Sequence, residues 1–196
     1  MAKDYEQLVE ELLYPELAPG IDEDVVHRYY PELNYPDSLP IASSYWLYRM
    51  VNSKRLLEEK ITLFWHQVFA TAWYKSEHPG TMVRQIEKFR RVGLTNMRTI
   101  LVELSKDPAM IAWLDNNDNH KGAVNENYGR ELLELFSMGI GNYSEDDVKE
   151  CARAFTGWTL GNAEYMAMRA SKDSIWPYGR IAWHYEYRED DHDGEE

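Results

Sequence analysis

The sequence predicts an all-α fold, a multi-helix core with orthogonal or bundle-like packing and a short irregular C-terminal tail with strand character. Between residues 41 and 158 proline occurs only at Pro79 and Pro108, and apolar residues recur there at helical spacing. Residues 181–188 instead alternate large apolar side chains with smaller or polar ones, which is the pattern of a strand. A strand needs a partner, so it pairs either with an earlier segment or with sequence outside this chain.

Three regions follow one another along the 196-residue chain. Residues 1–40 are an acidic lead-in, with an amphipathic helix predicted at 2–14 and a short helix at 24–30 among five prolines. Residues 41–158 are the predicted helical core. Residues 159–196 form a tail that is first aromatic and then acidic.

The core is predicted to contain seven helices, and several of their ends carry local signals. The helices lie near residues 41–52, 55–75, 81–92, 95–106, 108–116, 125–138 and 144–156. Asp107 is an N-cap residue before Pro108, and Ser144 begins a capping box with three acids in the first turn. Gly139 and Gly157 stand where left-handed residues would end the last two helices.

Composition and charge exclude several classes of protein. Apolar residues make up 44% of the chain and charged residues 28%, as in ordinary globular domains. The net charge of −13 comes from the two ends, −8 in residues 1–40 and −5 in residues 188–196. An acidic chain without a basic stripe repels phosphate backbones and anionic lipids, so nucleic acid is not an expected partner. The first residues lack the pattern of a signal peptide, and no apolar run could span a bilayer, so the sequence as written predicts a soluble cytoplasmic chain without membrane insertion.

Two single residues are candidates for chemistry. Cys151 is the only cysteine, which excludes an intrachain disulfide, and its place on an apolar helical stripe favours a small buried residue over a nucleophile. His66 lies on the apolar side of its predicted helix, away from the polar stripe of Lys60, Gln67 and Thr71. A buried imidazole needs a hydrogen-bond partner, so His66 is either a satisfied core histidine or a ligand or base.

The predicted helix at 125–138 carries a polar sector. Its members, placed at about 100° per residue, are Glu126, Arg130, Glu134 and Ser137, with Asn127 and Glu131 beside them. The sector is either a solvated face with two i,i+4 ion pairs, each worth about 0.3–0.5 kcal/mol, or a carboxylate–guanidinium cluster that lines a cleft. The spacing alone leaves both interpretations open.

Several long motifs occur in the chain in a fixed order. They are Asp107-Pro108-Ala109-Met110, Leu114-Asp115-Asn116, the run from Asn125 to Phe136, the run from Tyr143 to Val148 and the run from Ala152 to Trp158, with Phe64-Trp65-His66 and His192-Asp193-Gly194 on the flanks. Together they closely resemble the bacterial family called domain of unknown function 1800, over roughly residues 41–196. Gly129 stands where the family usually has alanine, a change that slightly weakens the helix.

The resemblance implies a largely helical bacterial protein whose family has no established biochemical activity. Members are commonly longer and many look exported. Their genes often neighbour those of a sulfatase-like family, whose product is a candidate protein partner. Because this chain stops at the His192-Asp193-Gly194 motif, we expect an N-terminal fragment or a shortened member whose tail continues in longer relatives.

Two functions remain open. The first is a metal-assisted enzyme that acts on an envelope or extracellular substrate and uses a divalent metal. Its candidate residues are catalytic His66, Glu126, Arg130 and Glu131, the metal ligands His192 and Asp193, and Asp115, which belongs to the same motifs. The second is a non-catalytic helical binding or assembly module, because the 14 Tyr and 7 Trp supply half-polar rings suited to interfaces and to stacking on sugars.

Overall fold

The computed structural model describes residues 4–31, 39–76, 79–161 and 183–194, and it confirms the predicted all-α class. The chain forms two compact units. The first contains residues 1–70 and 78–100, and the second contains residues 71–77 and 101–196.

The helices of the described residues are short to medium in length. They are α1 (Tyr5–Leu13), α2 (Glu23–Tyr29), α3 (Leu39–Asn52), α4 (Leu56–Val68), α5 (Trp73–Ser76), α6 (Pro79–Val92), α7 (Met97–Ser105), α8 (Pro108–Trp113), α9 (Asn127–Glu131) and α10 (Glu145–Ala154). The longest, α3 and α6, each have 14 residues. In the part of the chain that the structure describes, no helix is long and apolar enough to cross a membrane.

A buried carboxylate connects three helices of the first unit. Glu59 of α4 is 3% exposed, and Arg90 of α6 donates from Nε and Nη2 to its two oxygens at 2.8 and 3.1 Å. Arg49 of α3 lies nearby, with its Nε 3.6 Å from Glu59 Oε1, and also forms an ion pair with Glu23 of α2. Two guanidinium groups therefore neutralise a carboxylate whose burial alone would be strongly unfavourable.

The helix predicted at 55–75 is divided. It ends at Val68, where the Phe69 N–H closes the last turn on the Trp65 carbonyl, and α5 follows as a separate helix. The Phe69 ring is fully buried, stacked on Trp65 with centroids 5.2 Å apart and tilted against Phe89 at 5.9 Å. The helix thus ends where an aromatic side chain enters the core. The spacing of apolar residues along the sequence does not predict this effect of packing.

The core of the second unit is built from α7, α8, α9, α10 and the strand that follows them. Its most buried apolar side chains, none more than 3% exposed, are Leu104, Ala109, Met110, Ile111, Tyr128, Val148, Ala152 and Leu160. The Tyr128 hydroxyl lies 2.7 Å from Ser105 Oγ, so the buried phenol has a hydrogen-bond partner. Burial raises the pKa of Tyr128 well above its ordinary value.

The helix predicted at 108–116 ends early. α8 stops at Trp113, and Asp115 takes the left-handed conformation, with φ at 57°, before a 3-10 turn at Asn116–Asp118. This conformation is uncommon for residues other than glycine, although aspartate tolerates it better than most. The chain therefore changes direction at Asp115.

Buried asparagines connect the loop after α8 to its surroundings. Asn119 is 1% exposed and donates from Nδ2 to the Ala152 carbonyl at 2.8 Å and to Asn116 Oδ1 at 3.2 Å. Asn119 Oδ1 accepts from the Asn125 N–H at 2.9 Å. Asn116 donates to the Trp158 carbonyl at 2.7 Å. These amides bind backbone groups near the end of α10 and at β1, and we call Asn116, Asn119 and Asn125 the asparagine network.

The helix predicted at 125–138 changes type halfway. It is α-helical over Asn127–Glu131 and a π-helix over Leu132–Ser137. The Met138 N–H donates to the Leu133 carbonyl at 2.9 Å, five residues back. π-Helical segments are rare and often occur at functional sites.

Gly129 allows α9 and α10 to approach closely. A Cβ atom at this position would lie 2.8 Å from the backbone nitrogen of Ala152, closer than such contacts occur. Gly129 therefore has a packing role, in addition to the weakening of the helix that its missing side chain predicts.

The strand pattern near the C-terminal end is confirmed where it is described. β1 (Trp158–Gly161) and β2 (His184–Tyr187) pair antiparallel, with Trp158 opposite Tyr187 and Gly161 opposite His184. The strand therefore pairs with an earlier segment of the same chain. The first two residues of the predicted strand, 181 and 182, lie outside the described residues.

The local signals for helix ends are confirmed at Asp107, Ser144 and Gly139, whereas α10 ends at Ala154, before Gly157. Asp107 Oδ1 accepts the backbone N–H three residues on, at 3.1 Å, and Ser144 and Asp147 form a reciprocal capping box. Gly139 and Gly157 have φ values of 80° and 76°, in the left-handed region.

Replacing Asn119 tests the asparagine network. We expect Asn119→Ala to lower the free energy of unfolding by roughly 3 kcal/mol, because it removes three hydrogen bonds of a buried amide and leaves the Asn125 N–H without its acceptor. Asn117→Ala is the matched control and should cost less than about 0.5 kcal/mol, since among the described residues its side chain bonds to exposed Asp118 alone. Urea unfolding measures both, and equal losses in the two variants would contradict the assignment.

Candidate functional site

A group of polar side chains lies where α5, the end of α8 and the start of α9 come together. Lys75 Nζ donates to the Trp113 carbonyl at 2.6 Å and forms an ion pair with Asp115 Oδ1 at 2.7 Å. Asp115 Oδ2 accepts a long hydrogen bond from Asn127 Nδ2 at 3.5 Å. We call Lys75, Asp115 and Asn127 the Asp115 cluster.

The backbone of Asp115 is fixed from both sides. Its carbonyl accepts from Asn125 Nδ2 at 3.3 Å and from the Asp118 N–H at 3.1 Å. Asn125 is in turn bonded to buried Asn119. The left-handed backbone and these bonds together set the direction of the carboxylate. The cluster is therefore positioned by hydrogen bonds to the rest of the unit.

Aromatic rings border the Asp115 cluster. Tyr74 packs edge-to-face on Trp113 with centroids 5.6 Å apart, and Lys75 Nζ lies 5.8 Å from the centre of the Trp113 ring. Tyr74 is nevertheless 71% exposed, and the Asp115 side chain is 41% exposed. The surface therefore combines fixed hydrogen-bonding groups with an accessible ring that is held in place.

Glu131 lies one turn after Asn127 on α9, which places the two residues on one face of the helix. It is half-buried. Among the residues that the structure describes, no hydrogen bond or ion pair engages its carboxylate. Glu131 is therefore a carboxylate that the described contacts leave available.

Arg130 joins α9 to α10. Its Nη1 and Nη2 donate to the two oxygens of Glu145 at 2.9 and 2.6 Å, and Nη2 also donates to Glu126 at 3.1 Å. The guanidinium lowers the pKa of Glu145 below its ordinary value. The structure thus brings the predicted residues Glu126 and Arg130 together and gives the guanidinium a linking role between two helices.

The second ion pair of the polar sector, between Arg130 and Glu134, is not formed. Glu134 instead accepts from the Tyr143 hydroxyl at 2.7 Å, and this bond raises the pKa of Tyr143. The π-helix that begins at Leu132 rotates the later residues away from their α-helical positions. Of the two expected i,i+4 pairs, only the one between Glu126 and Arg130 is confirmed.

The predicted metal ligands His192 and Asp193 lie against Thr156. His192 Nδ1 is 2.9 Å from the Thr156 carbonyl, which can only accept, so Nδ1 carries the proton and Nε2 is the basic nitrogen. The Asp193 N–H donates to Thr156 Oγ1 at 2.7 Å. Within the described ranges, no three His, Cys, Asp or Glu side chains form a group that could hold a metal ion together.

Burial shifts the pKa of two other predicted residues. His66 belongs to the first unit, where its ring meets Trp46 edge-on with centroids 5.0 Å apart. Its Nδ1 is buried without a hydrogen-bond partner among the described residues, and burial lowers the pKa of His66. Cys151 is half-buried, and burial raises the pKa of its thiol, which favours the unreactive protonated form.

Sequence patterns did not identify two residues at this surface, Lys75 and Tyr74. The prediction of one continuous helix at 55–75 assigns both to its last turn and gives no reason to single them out. The available signal is the run Trp73-Tyr74-Lys75, in which two aromatic residues precede a cation. Lys75 becomes part of the site only through its ion pair with Asp115, which lies far along the chain and is brought close by the fold.

The link between Arg130 and Glu145 predicts a change in titration. In Arg130→Gln we expect the pKa of Glu145 to rise toward its ordinary value, because the bidentate donor is lost. Since the folded pKa lies below the unfolded one, the pair stabilises the fold above the unfolded pKa, and this contribution disappears as the pH falls through the folded pKa. Carbon-13 NMR titration of the carboxyl groups measures the shift.

Asp147 provides the internal control for this titration. Its pKa is lowered by the Ser144 N–H and hydroxyl and should stay low in Arg130→Gln. An unchanged pKa for Glu145 in the variant would show that Arg130 is not its partner in solution.

Comparison with known proteins identifies a family. A family model described as a protein of unknown function (DUF1800) matches residues 7–195, nearly the whole chain. Searches of curated proteins and of solved structures give no match. The match agrees with the motifs that run from Asp107 to Trp158, and the chain belongs to the DUF1800 family.

Proposed function

We propose that the chain is a helical binding module for envelope or extracellular material, with the Asp115 cluster as its recognition surface. The observation that carries the proposal is a contrast between occupied and available groups. Arg130 is bound by two carboxylates and links two helices. Lys75, Asp115 and Asn127 are held in place at the surface while keeping hydrogen-bonding capacity.

Fixed polar groups favour binding because little side-chain entropy is lost when a ligand arrives. Asp115 is held by its left-handed backbone, and Tyr74 is held by Trp113. The choice of envelope or extracellular material is supported by the resemblance, since many similar proteins look exported. The negative net charge supports a ligand other than nucleic acid.

A metal-assisted enzyme is the second candidate, and one observation favours it. A histidine that binds a metal usually donates its other ring N–H to a carbonyl or carboxylate, as His192 does to Thr156. In this alternative His192 and Asp193 would hold a divalent metal, and Glu131 would be the general base. Binding would then be a step toward cleavage.

Cosedimentation with isolated bacterial cell walls tests the proposed function. We expect the chain to be retained, and retention to be unaffected by EDTA. Asp115→Asn should weaken retention about tenfold, because a charged acceptor contributes roughly 1.5–3 kcal/mol. Asp118→Asn, three residues on and exposed, is the matched control and should bind like the unchanged chain.

Two results would overturn the binding module. One is the absence of retention on cell walls. The other is retention that EDTA abolishes together with release of soluble wall fragments by the unchanged chain, which would establish the metal-assisted enzyme instead.

A further inference from the structure

The geometry of the Asp115 cluster points to a neutral saccharide as its ligand, a conclusion that rests on the proposed binding function. A sugar offers many hydroxyl groups, each a donor and an acceptor, and an apolar ring face lined with C–H groups. The surface around Asp115 presents matching groups of both kinds.

The hydrogen-bonding groups of the cluster are only partly used among the described residues. The Lys75 ammonium has three N–H donors, and two are engaged, by the Trp113 carbonyl and by Asp115. Each oxygen of Asp115 accepts one bond and has room for another. The Asn127 amide uses one N–H and leaves its oxygen without a donor among these residues. Donors and acceptors therefore alternate across one small surface, which suits hydroxyl groups.

The aromatic part of the surface supplies a stacking partner. Tyr74 has 71% of its surface exposed, but its contact with Trp113 fixes the orientation of the ring. Lys75 lies over Trp113, so the open ring beside the cluster is Tyr74. An immobilised ring next to fixed polar groups loses little freedom when a sugar ring packs on it.

Charge favours a neutral sugar over an acidic one. Lys75 and Asp115 neutralise each other at 2.7 Å, and Glu131 adds a negative charge on the same face of α9 as Asn127. A uronic acid or a sulfated sugar would therefore meet repulsion, whereas a neutral sugar would not.

Saturation-transfer difference NMR on the full chain tests the inference. The neutral probes are cellotetraose, maltotetraose and chitotetraose, and the acidic probe is tetragalacturonate. We expect transfer to at least one neutral probe and about fivefold less to the acidic one. Tyr74→Ala should weaken neutral binding about fivefold, by loss of one aromatic contact.

Tyr29→Ala is the matched control, because Tyr29 has a similar exposure of 74% but lies in the first unit. Tyr29→Ala should bind like the unchanged chain. Both variants should have the melting temperature of the unchanged chain, since each ring is largely exposed. Equal weakening in the two tyrosine variants would overturn the inference, as would stronger binding of the acidic probe.

The outcome also separates this inference from the proposed function. If the chain is retained on cell walls but none of the neutral probes shows transfer, the saccharide assignment is wrong while the binding function stands. If the chain is not retained on cell walls and no probe shows transfer, both are wrong.

Discussion

The buried side chain of Asn119 is the contact on which the second unit depends. With two Nδ2 bonds and one accepted bond it holds α10, the 3-10 turn after Asp115 and the segment that leads into α9. Asn125, which it binds, in turn holds the Asp115 carbonyl. A surface carboxylate is thus positioned by an amide that is 1% exposed. Removing the buried contact would disturb the proposed recognition surface without touching any residue on it.

Charged residues in this protein serve two different purposes. Glu59 and Arg90 pair in the interior of the first unit, where an unpaired charge would cost several kcal/mol, so their pairing is a condition of folding. Arg130 links two helices of the second unit near the surface. The Lys75–Asp115 pair is also at the surface, where an ion pair contributes about 0–1 kcal/mol to stability. The pair therefore contributes little to stability, and its place in the proposed recognition surface gives it a second role to test.

The sequence predicted those parts of the fold that depend on local signals. Helix positions followed from apolar spacing, and the ends at Asp107, Ser144 and Gly139 followed from capping chemistry. It did not predict the left-handed Asp115, which begins a polar run without apolar spacing, or the π-helix after Glu131, which lies inside a run whose apolar spacing continues. These features depend on contacts between distant segments, which one sequence does not reveal.

In the candidate site, too, the sequence predicted local pairs but not contacts between distant segments. The polar sector correctly placed Glu126 beside Arg130, but the second partner, Glu145, comes from another helix. Asp115 was among the candidates, whereas Lys75 was not, because its role exists only after folding brings the two together.

Chemical-shift mapping of the nitrogen-15-labelled chain, titrated with soluble cell-wall fragments, tests most directly whether Asp115 belongs to the recognition surface. We predict shifts at residues 73–76, 113–115 and 125–131, and shifts centred on His66 or on His192 would contradict this account.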